Sequence, residues 1–187
     1  SRGDGVSVLN RTKGMVKHYA PAPGVSGQLQ QGWVTTMAEQ ASGDIWLGVN
    51  PAQLYRFSAQ HETFTALDSA QGFWHANVRK LFTDSSQRLW LGSNEGAGLW
   101  LEQTQQFQRI LDQNDLPIAD YINGFAEDHQ HNLWLATGSS GLLKIDSNTL
   151  SANPAVFSAD SPQAPQSILG ILFDQQNRLW LDTPNGL

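Results

Sequence analysis

Three aspartates recur at a fixed distance from three tryptophans: Asp84, Asp128 and Asp174 stand six residues before Trp90, Trp134 and Trp180. Carboxylates in register are raw material for acid–base or metal chemistry. One acid per repeat, at the end of an apolar run and ahead of a turn, instead reads as a carboxylate accepting backbone N–H bonds in that turn. His129 and His131 flank one residue as metal ligands do, but they lie in the same turn and no third ligand follows at usable spacing, so no metal is expected. A sialidase box sets its Asp one residue closer to the Trp than the six found here. No nucleophile elbow ties Ser to His, and acids occurring singly between repeats form no glycosidase pair. An enzyme of the lyase or hydrolase type would have only His75, Glu95 and Asp120 to draw on for a base or for Mg²⁺. The segment is therefore expected to have no catalytic residue and no cofactor.

The residues that break the repeat suit binding better than catalysis. Trp33, Asn77, Tyr121 and Ser167 come just before the first strand of successive units, with Trp74 and His75 close by. Asn50, Asn94, Glu95 and Ser139 fall on the loop after the second strand. Aromatic faces beside amides and hydroxyls fit a small polar ligand or a carbohydrate, by stacking and by hydrogen bonds to hydroxyls. The candidate ligand set is thus Trp33, Trp74, His75, Asn77, Tyr121, Asn94 and Glu95. The competing reading makes Trp33 and Trp74 plugs that pack the loops onto the ends of the strands.

What positions these residues is a repeat. GDIWLG, QRLWLG, HNLWLA and NRLWLD surround Trp46, Trp90, Trp134 and Trp180, at spacings of 44, 44 and 46 residues. Val34, Val78, Ile122 and Ile168 each stand twelve residues ahead of the Trp. A second mark follows it, as Gln53-Leu54, Gly98-Leu99, Gly141-Leu142 and Gly186-Leu187, with an extra copy at Gly5-Val6. Helical HEAT-like pairs and propeller blades share this period. Four short runs per unit, as at 78–83, 89–92, 99–102 and 106–111, separated by Gly, Asn, Asp or Ser, select strands.

The expected fold is all-β: a β-propeller of four-stranded antiparallel blades, about four in number. It comprises a half blade at 5–19, blades at about 34–67, 78–111 and 122–157, and a half blade at 168–187. Strand A of each blade lines the channel and starts at Val34, Val78, Ile122 or Ile168. The hairpin tip after it holds Gly43, Gln87, His131 or Asn177, partly residue types that tolerate positive φ. Strand B carries the Trp, which wedges between neighbouring blades because a blade cannot bury both faces alone. Strand D carries Phe64 and Leu67, Phe107 and Ile110, or Val156 and Phe157, the last on a solvated connection at 147–165. The two halves are complementary, so they would either close a four-bladed ring or belong to a larger propeller. The second reading is preferred because the chain stops in mid-motif. In that case the open blade edges suit a homodimer or other self-association.

Composition removes other classes. Of 187 residues 11 are Lys or Arg and 17 Asp or Glu, and the net charge of −6 leaves no basic footprint for nucleic acid. There is no Cys for disulfides, zinc or a thiol nucleophile. Apolar runs are too short to span a membrane, so no membrane contact by this segment is expected. No basic-then-apolar leader opens the chain.

The succession of a strand-A run, an acid, a Gly/Asn turn, Leu-Trp-Leu-Gly, then Gly-Leu and a hydrophobic strand resembles the two-component regulator propeller repeats. The resemblance covers residues 5–10, 34–58, 78–102, 122–146 and 168–187. It implies the periplasmic sensor region of a membrane-bound bacterial receptor. In that family a β-sandwich, a membrane helix and a histidine kinase, DNA-binding regulator or diguanylate cyclase follow the propeller. The same turns occur in streptogramin lyase-like propellers, which keeps an enzyme as the alternative, and a protein-binding scaffold as a third. Three departures stand out: Gln40 in place of Asp, Pro51-Ala52-Gln53 where Gly is expected, and Asp182 in place of the Gly after Trp-Leu.

Overall fold

The structure is a computed structural model that describes residues 5–146, 148–156 and 165–186. Three four-stranded antiparallel sheets stand in a row, flanked by a two-stranded sheet at each end. The first flanking sheet pairs β1 (Val6–Asn10) with β2 (Met15–Tyr19). Blade 1 holds β3 (Trp33–Glu39), β4 (Ile45–Asn50), β5 (Gln53–Ser58) and β6 (Thr63–Leu67). Blade 2 holds β7 (Val78–Thr83), β8 (Leu89–Ser93), β9 (Gly96–Leu101) and β10 (Gln106–Arg109). Blade 3 holds β11 (Ile122–Glu127), β12 (Leu133–Thr137), β13 (Leu142–Asp146) and β14 (Ser151–Pro154). The last sheet pairs β15 (Gly170–Phe173) with β16 (Leu179–Asp182). In each full blade the strands lie in chain order, and the first strand packs against the first strand of the next blade. This is the blade arrangement of a β-propeller. The one helical element among the described residues is a 3₁₀ turn, Ser69–Gln71.

Burial follows position in the blade. The channel-side strand β3 alternates exposed and half-buried residues, whereas every residue of β8 is buried. A second strand has a blade on each of its faces, so it reads as an unbroken apolar run. The hairpin tips Gly43, Gln87, His131 and Asn177 all adopt positive φ, between 59° and 83°.

The tryptophans wedge between blades. Trp46, fully buried, meets Trp100 and Phe107 of blade 2 edge-on, with ring centres 4.8 and 5.8 Å away. Trp90 shares a buried cluster with Leu143, Ile145 and Ala152 of blade 3. Trp134 faces Phe173 of the next sheet at 6.0 Å. Trp180 is 44% exposed.

The repeated acids do more than hold the turn. Each accepts the indole N–H of its own Trp: Asp84 from Trp90 at 2.8 Å, Asp128 from Trp134 and Asp174 from Trp180 at 2.9 Å. The same carboxylates accept turn N–H groups of Arg88, Asn132 and Arg178 at 2.9 Å. Arg88 and Arg178 pair with these acids and lie over the indoles, 5.1 and 5.6 Å from the ring centres. The departure at Gln40 preserves the essential bond, since its Oε1 accepts from Trp46 at 2.9 Å. The ion pair is relocated, with Asp44 binding Arg56, and Arg56 covering Trp46 at 5.8 Å.

The strand limits differ from the sequence expectations in several places. β15 starts at Gly170, because Ile168 is a fully buried loop residue whose N–H donates to Thr137 across the blade junction. β9 starts at Gly96, whose φ of +106° lets the chain turn back early. Trp33 is the first residue of β3 rather than its forerunner. The fourth strand of blade 3 is Ser151–Pro154, not a strand at Val156 and Phe157, because a turn at Leu150 (φ 56°) reverses the chain sooner. Ala152 therefore pairs with Ile145 where blade 1 pairs Phe64 with Phe57. Val156 is 97% exposed. Ser147, Leu187 and residues 157–164 of the connection, Phe157 among them, lie outside the described residues.

The turn carboxylates make the fold acid-sensitive. Burial pushes Asp128 up, but hydrogen bonds from Trp134 and Asn132 and turn N–H groups outweigh it and hold the carboxyl below its ordinary value. Glu127 is likewise pushed up by burial and pulled lower overall by Ser85 and His131. A carboxyl with a lowered folded-state pKa contributes stability above the unfolded value, and that stability is lost as pH falls through the folded value. The urea midpoint should thus hold from neutrality down to about pH 5 and fall below about pH 4, where free carboxyls protonate. Asp128→Asn should flatten that fall, and a midpoint that ignores pH over this range would contradict the assignment.

Candidate functional site

The channel end that carries the loops between second and third strands, and between blades, is organised by one backbone device. In each full blade the pairing of the first two strands slips by a residue: between Val34 and Thr36, Val78 and Lys80, and Ile122 and Gly124. The skipped residues are Thr35, Arg79 and Asn123. A bulge re-aims its side chain, and here each one reaches the following blade. Thr35 Oγ1 donates to the Val78 carbonyl at 2.8 Å, Arg79 Nη2 to Asn123 Oδ1 at 2.9 Å, and Asn123 Nδ2 to the Ile168 carbonyl at 2.8 Å. Leu169 occupies the same place in the next repeat. These four residues line one side of a cavity of about 540 Å³, completed by Asn50, Asn77, Val78, Lys80, Asn94 and Tyr121.

The asparagines are fixed by their oxygens. Asn94 Oδ1 accepts the N–H of Asn77 at 2.8 Å, and Asn77 Oδ1 accepts the N–H of Ala52 at 2.9 Å. The second bond ties the blade 1 loop to blade 2. It also explains how Pro51-Ala52-Gln53 replaces the expected Gly, with Ala52 itself taking a φ of 44°. Tyr121 is 53% exposed, and the Arg79 guanidinium lies 5.5 Å from its ring centre.

Of the residues singled out from sequence, Asn50, Asn77, Asn94 and Tyr121 come together here, while the other members of the candidate ligand set are placed elsewhere. Trp33 is 47% exposed but does not line the cavity. Trp74 is half-buried and held by packing: its indole donates to Ser93 Oγ at 3.2 Å, and Arg109 covers its ring at 4.6 Å. A Cβ at Gly98 would meet its ring edge at 2.9 Å, so this Gly makes room for the indole. His75 is an exposed residue whose ring centre lies 5.4 Å from that of Phe73. Glu95 is exposed, and its carbonyl accepts from Arg109. Asp120 is buried beneath the loop after β12 and accepts from the backbone of Ser139 at 3.1 Å and of Ser140 at 2.7 Å. Burial raises its pKa, but hydrogen bonds from Ser140 and Ser139 prevail and hold the carboxyl low. His75, Glu95 and Asp120 line no part of the channel-mouth cavity.

Sequence reasoning passed over Thr35, Arg79, Lys80, Asn123 and Leu169. A usable signal was present. One residue after the constant Val34, Val78, Ile122 and Ile168, the repeat changes chemical class from unit to unit. A column that varies beside the β-branched Val34, Val78, Ile122 and Ile168 marks side chains that the repeat does not use in common.

A larger opening of about 780 Å³ lies at the other ends of blades 1 and 2. Its charged side chains are engaged, with Arg56 bound to Asp44 and to Gln105 Oε1. Among the described residues, no three His, Asp or Glu side chains gather as metal ligands do, and no helix is long and apolar enough to cross a membrane.

No protein-family model and no curated protein matches the sequence. Solved structures share the fold. The extracellular domain of BT3049 from B. thetaiotaomicron, assigned as a hybrid two-component system, superposes with a TM-score of 0.71 at 21% identity, over 98% of this chain and 23% of that one. The extracellular domain of BT4673 from the same organism, assigned as a one-component system, gives 0.69 at 17%, over 95% of this chain and 24% of that one. A catalytically inactive virginiamycin B lyase from Staphylococcus aureus, solved with quinupristin, gives 0.65 at 16%, over 99% of this chain and 61% of that one. The chain thus spans about a quarter of the two extracellular domains and under two thirds of the lyase.

Proposed function

We propose that the chain is a non-catalytic, ligand-binding propeller segment from the periplasmic part of a bacterial signal-transduction receptor of the two-component regulator type. The observation that carries this reading is the channel-mouth cavity. Repeat-breaking polar side chains from three blades converge there around an exposed tyrosine, in a volume suited to a sugar or another small polar molecule. The fold shared with extracellular sensor domains supports the same reading. A propeller lyase would need His75, Glu95 and Asp120 to act together, and Asp120 is already committed to the loop of Ser139 and Ser140.

The reading is tested by thermal unfolding in the presence of a saccharide panel, because a ligand that binds only the folded chain raises its melting temperature. At least one saccharide should do so. Tyr121→Ala should leave the unliganded transition unchanged and weaken that ligand about tenfold, on the order of the loss of one aromatic contact. A panel without any effect, or full binding by Tyr121→Ala, would count against the site.

We also propose that the 187-residue chain, standing alone, associates with a second copy through its open blade edges. Between the β1–β2 sheet and blade 1 lies an apolar groove of about 560 Å³, lined by Val6, Val8, Tyr19, Phe57 and Phe64 among others. Phe64 corresponds in the repeat to Phe107, which receives Trp46. The exposed Trp180 on the β15–β16 hairpin is of the type this place receives, so the hairpin of the second copy is the occupant proposed.

A further inference from the structure

We infer that the channel mouth selects a ligand bearing an oxyanion, a carboxylate or a sulfate ester, with Arg79 and Lys80 as the residues that recognise it. This rests on the proposal that the mouth binds a sugar-like molecule, and it specifies that ligand's charge. Three observations lead to it. First, the lining contains two cations and no carboxylate, in a chain whose net charge is −6. Among the described residues, neither Arg79 nor Lys80 is within ion-pair distance of an acid.

Second, the two asparagines that tie the loops together offer donors. Asn77 and Asn94 spend their side-chain oxygens on backbone N–H groups, which leaves their amide NH₂ groups to line the cavity. Asn123 uses both ends of its amide, accepting from Arg79 and donating to the Ile168 carbonyl. Thr35 directs its one hydroxyl proton to the Val78 carbonyl at 2.8 Å, with the Gly48 carbonyl 3.1 Å away. A neutral sugar hydroxyl needs acceptors as well as donors, whereas an oxyanion takes donors only.

Third, Arg79 is positioned in advance. One of its terminal nitrogens is tied to Asn123 and its guanidinium lies near the Tyr121 ring, which holds the planar fork in place. Its remaining N–H groups suit two-pronged binding of a carboxylate or sulfate. Lys80 adds a mobile point charge. The neighbouring acids Glu95, Asp120 and Asp182 all lie outside the lining.

The test compares three ligands that differ only at the sixth carbon: sodium glucuronate, glucose 6-sulfate and glucose. Each is titrated into the chain while the side-chain amide signals of Asn77 and Asn94 are followed by NMR. The two anions are expected to shift these signals at concentrations about tenfold lower than glucose does, as one charge-assisted hydrogen bond would bring. Their binding should weaken as sodium chloride is raised. Lys80→Gln, which removes no side-chain hydrogen bond or ion pair among the described residues, should cut the preference for the anions while leaving the melting temperature unchanged. Arg79→Gln should abolish it. Whichever of glucuronate and sulfate binds more tightly identifies the oxyanion. If glucose binds as tightly as the anions, or the preference survives both substitutions, the inference is overturned while the ligand-binding proposal stands. Silence from both anions overturns the inference, and silence across the whole saccharide panel overturns the ligand-binding proposal.

Discussion

Trp90→Ala will destabilise the domain by about 3–5 kcal/mol, the usual loss for emptying a packed Trp site, while Trp180→Ala, in the same motif, will change stability by less than about 1 kcal/mol. Trp90 is fully buried among Leu99, Ile122, Leu143 and their neighbours on two blades, so its removal leaves a cavity that neither blade can close alone. It also strips the buried Asp84 of an indole donor at 2.8 Å, which adds the cost of an undersatisfied polar group. Trp180 keeps its bond to Asp174 but stands 44% exposed. Urea unfolding followed by tryptophan fluorescence and circular dichroism measures both variants. Equal losses would show that the wedge does not depend on a neighbouring blade. The same pair tests association: Trp180→Ala should reduce self-association in sedimentation velocity without lowering stability, and a parent chain that stays monomeric at all concentrations would refute the proposed contact.

Gly92→Asp should leave no folded protein, although Asp stands naturally at the equivalent position 182 of the last repeat. A Cβ on Gly92 would lie 2.6 Å from Ile122 Cγ2 and 2.9 Å from Phe125 Cε2. Overpacking there costs about 1–3 kcal/mol, and an unpaired carboxylate in an apolar junction adds several more, together more than about 4 kcal/mol. Gly48 is equally confined, with its Cβ position 2.7 Å from Val78 Cγ1. The repeat tolerates a methyl where the junction gives slightly, as at Ala136 against Ile168. Asp182 is exposed, so Asp182→Gly should shift stability by no more than about 1 kcal/mol, the cost of Gly in a strand. Soluble yield and the thermal transition decide. A native-like melting curve for Gly92→Asp would show that blades do not approach as closely as the Gly implies.

These contrasts separate what the repeat motif encodes from what its surroundings add. The blade was legible because everything it needs is local. Trp and its acid lie six residues apart within one hairpin, and the tip residues adopt positive φ whatever stands beyond them. Even the exception at Gln40 respects the rule, since an amide oxygen serves the indole as well as a carboxylate does. The candidate site was legible only in part. Asn77, Asn94 and Tyr121 were reachable from their place in the loops. Trp74 looked equivalent, yet Arg109, 35 residues along the chain, turns it into a packing residue.

The amino-acid sequence by itself determined the strand period, the blade and the acid-capped hairpin turn. All of these are repeated within about one unit, and local hydrogen bonding with strand alternation suffices to specify them. The tertiary structure decided which copies of a motif matter. It buried Trp90 and left Trp180 exposed, and it turned one variable column, Thr35, Arg79, Asn123 and Leu169, into the wall of a single cavity. That outcome depends on the direction of a bulge and on blades whose contacting residues lie 43 to 45 positions apart, as in Thr35 to Val78 and Asn123 to Ile168. No local rule reads such distances, because the rotation of one blade against the next is set by packing at the junction.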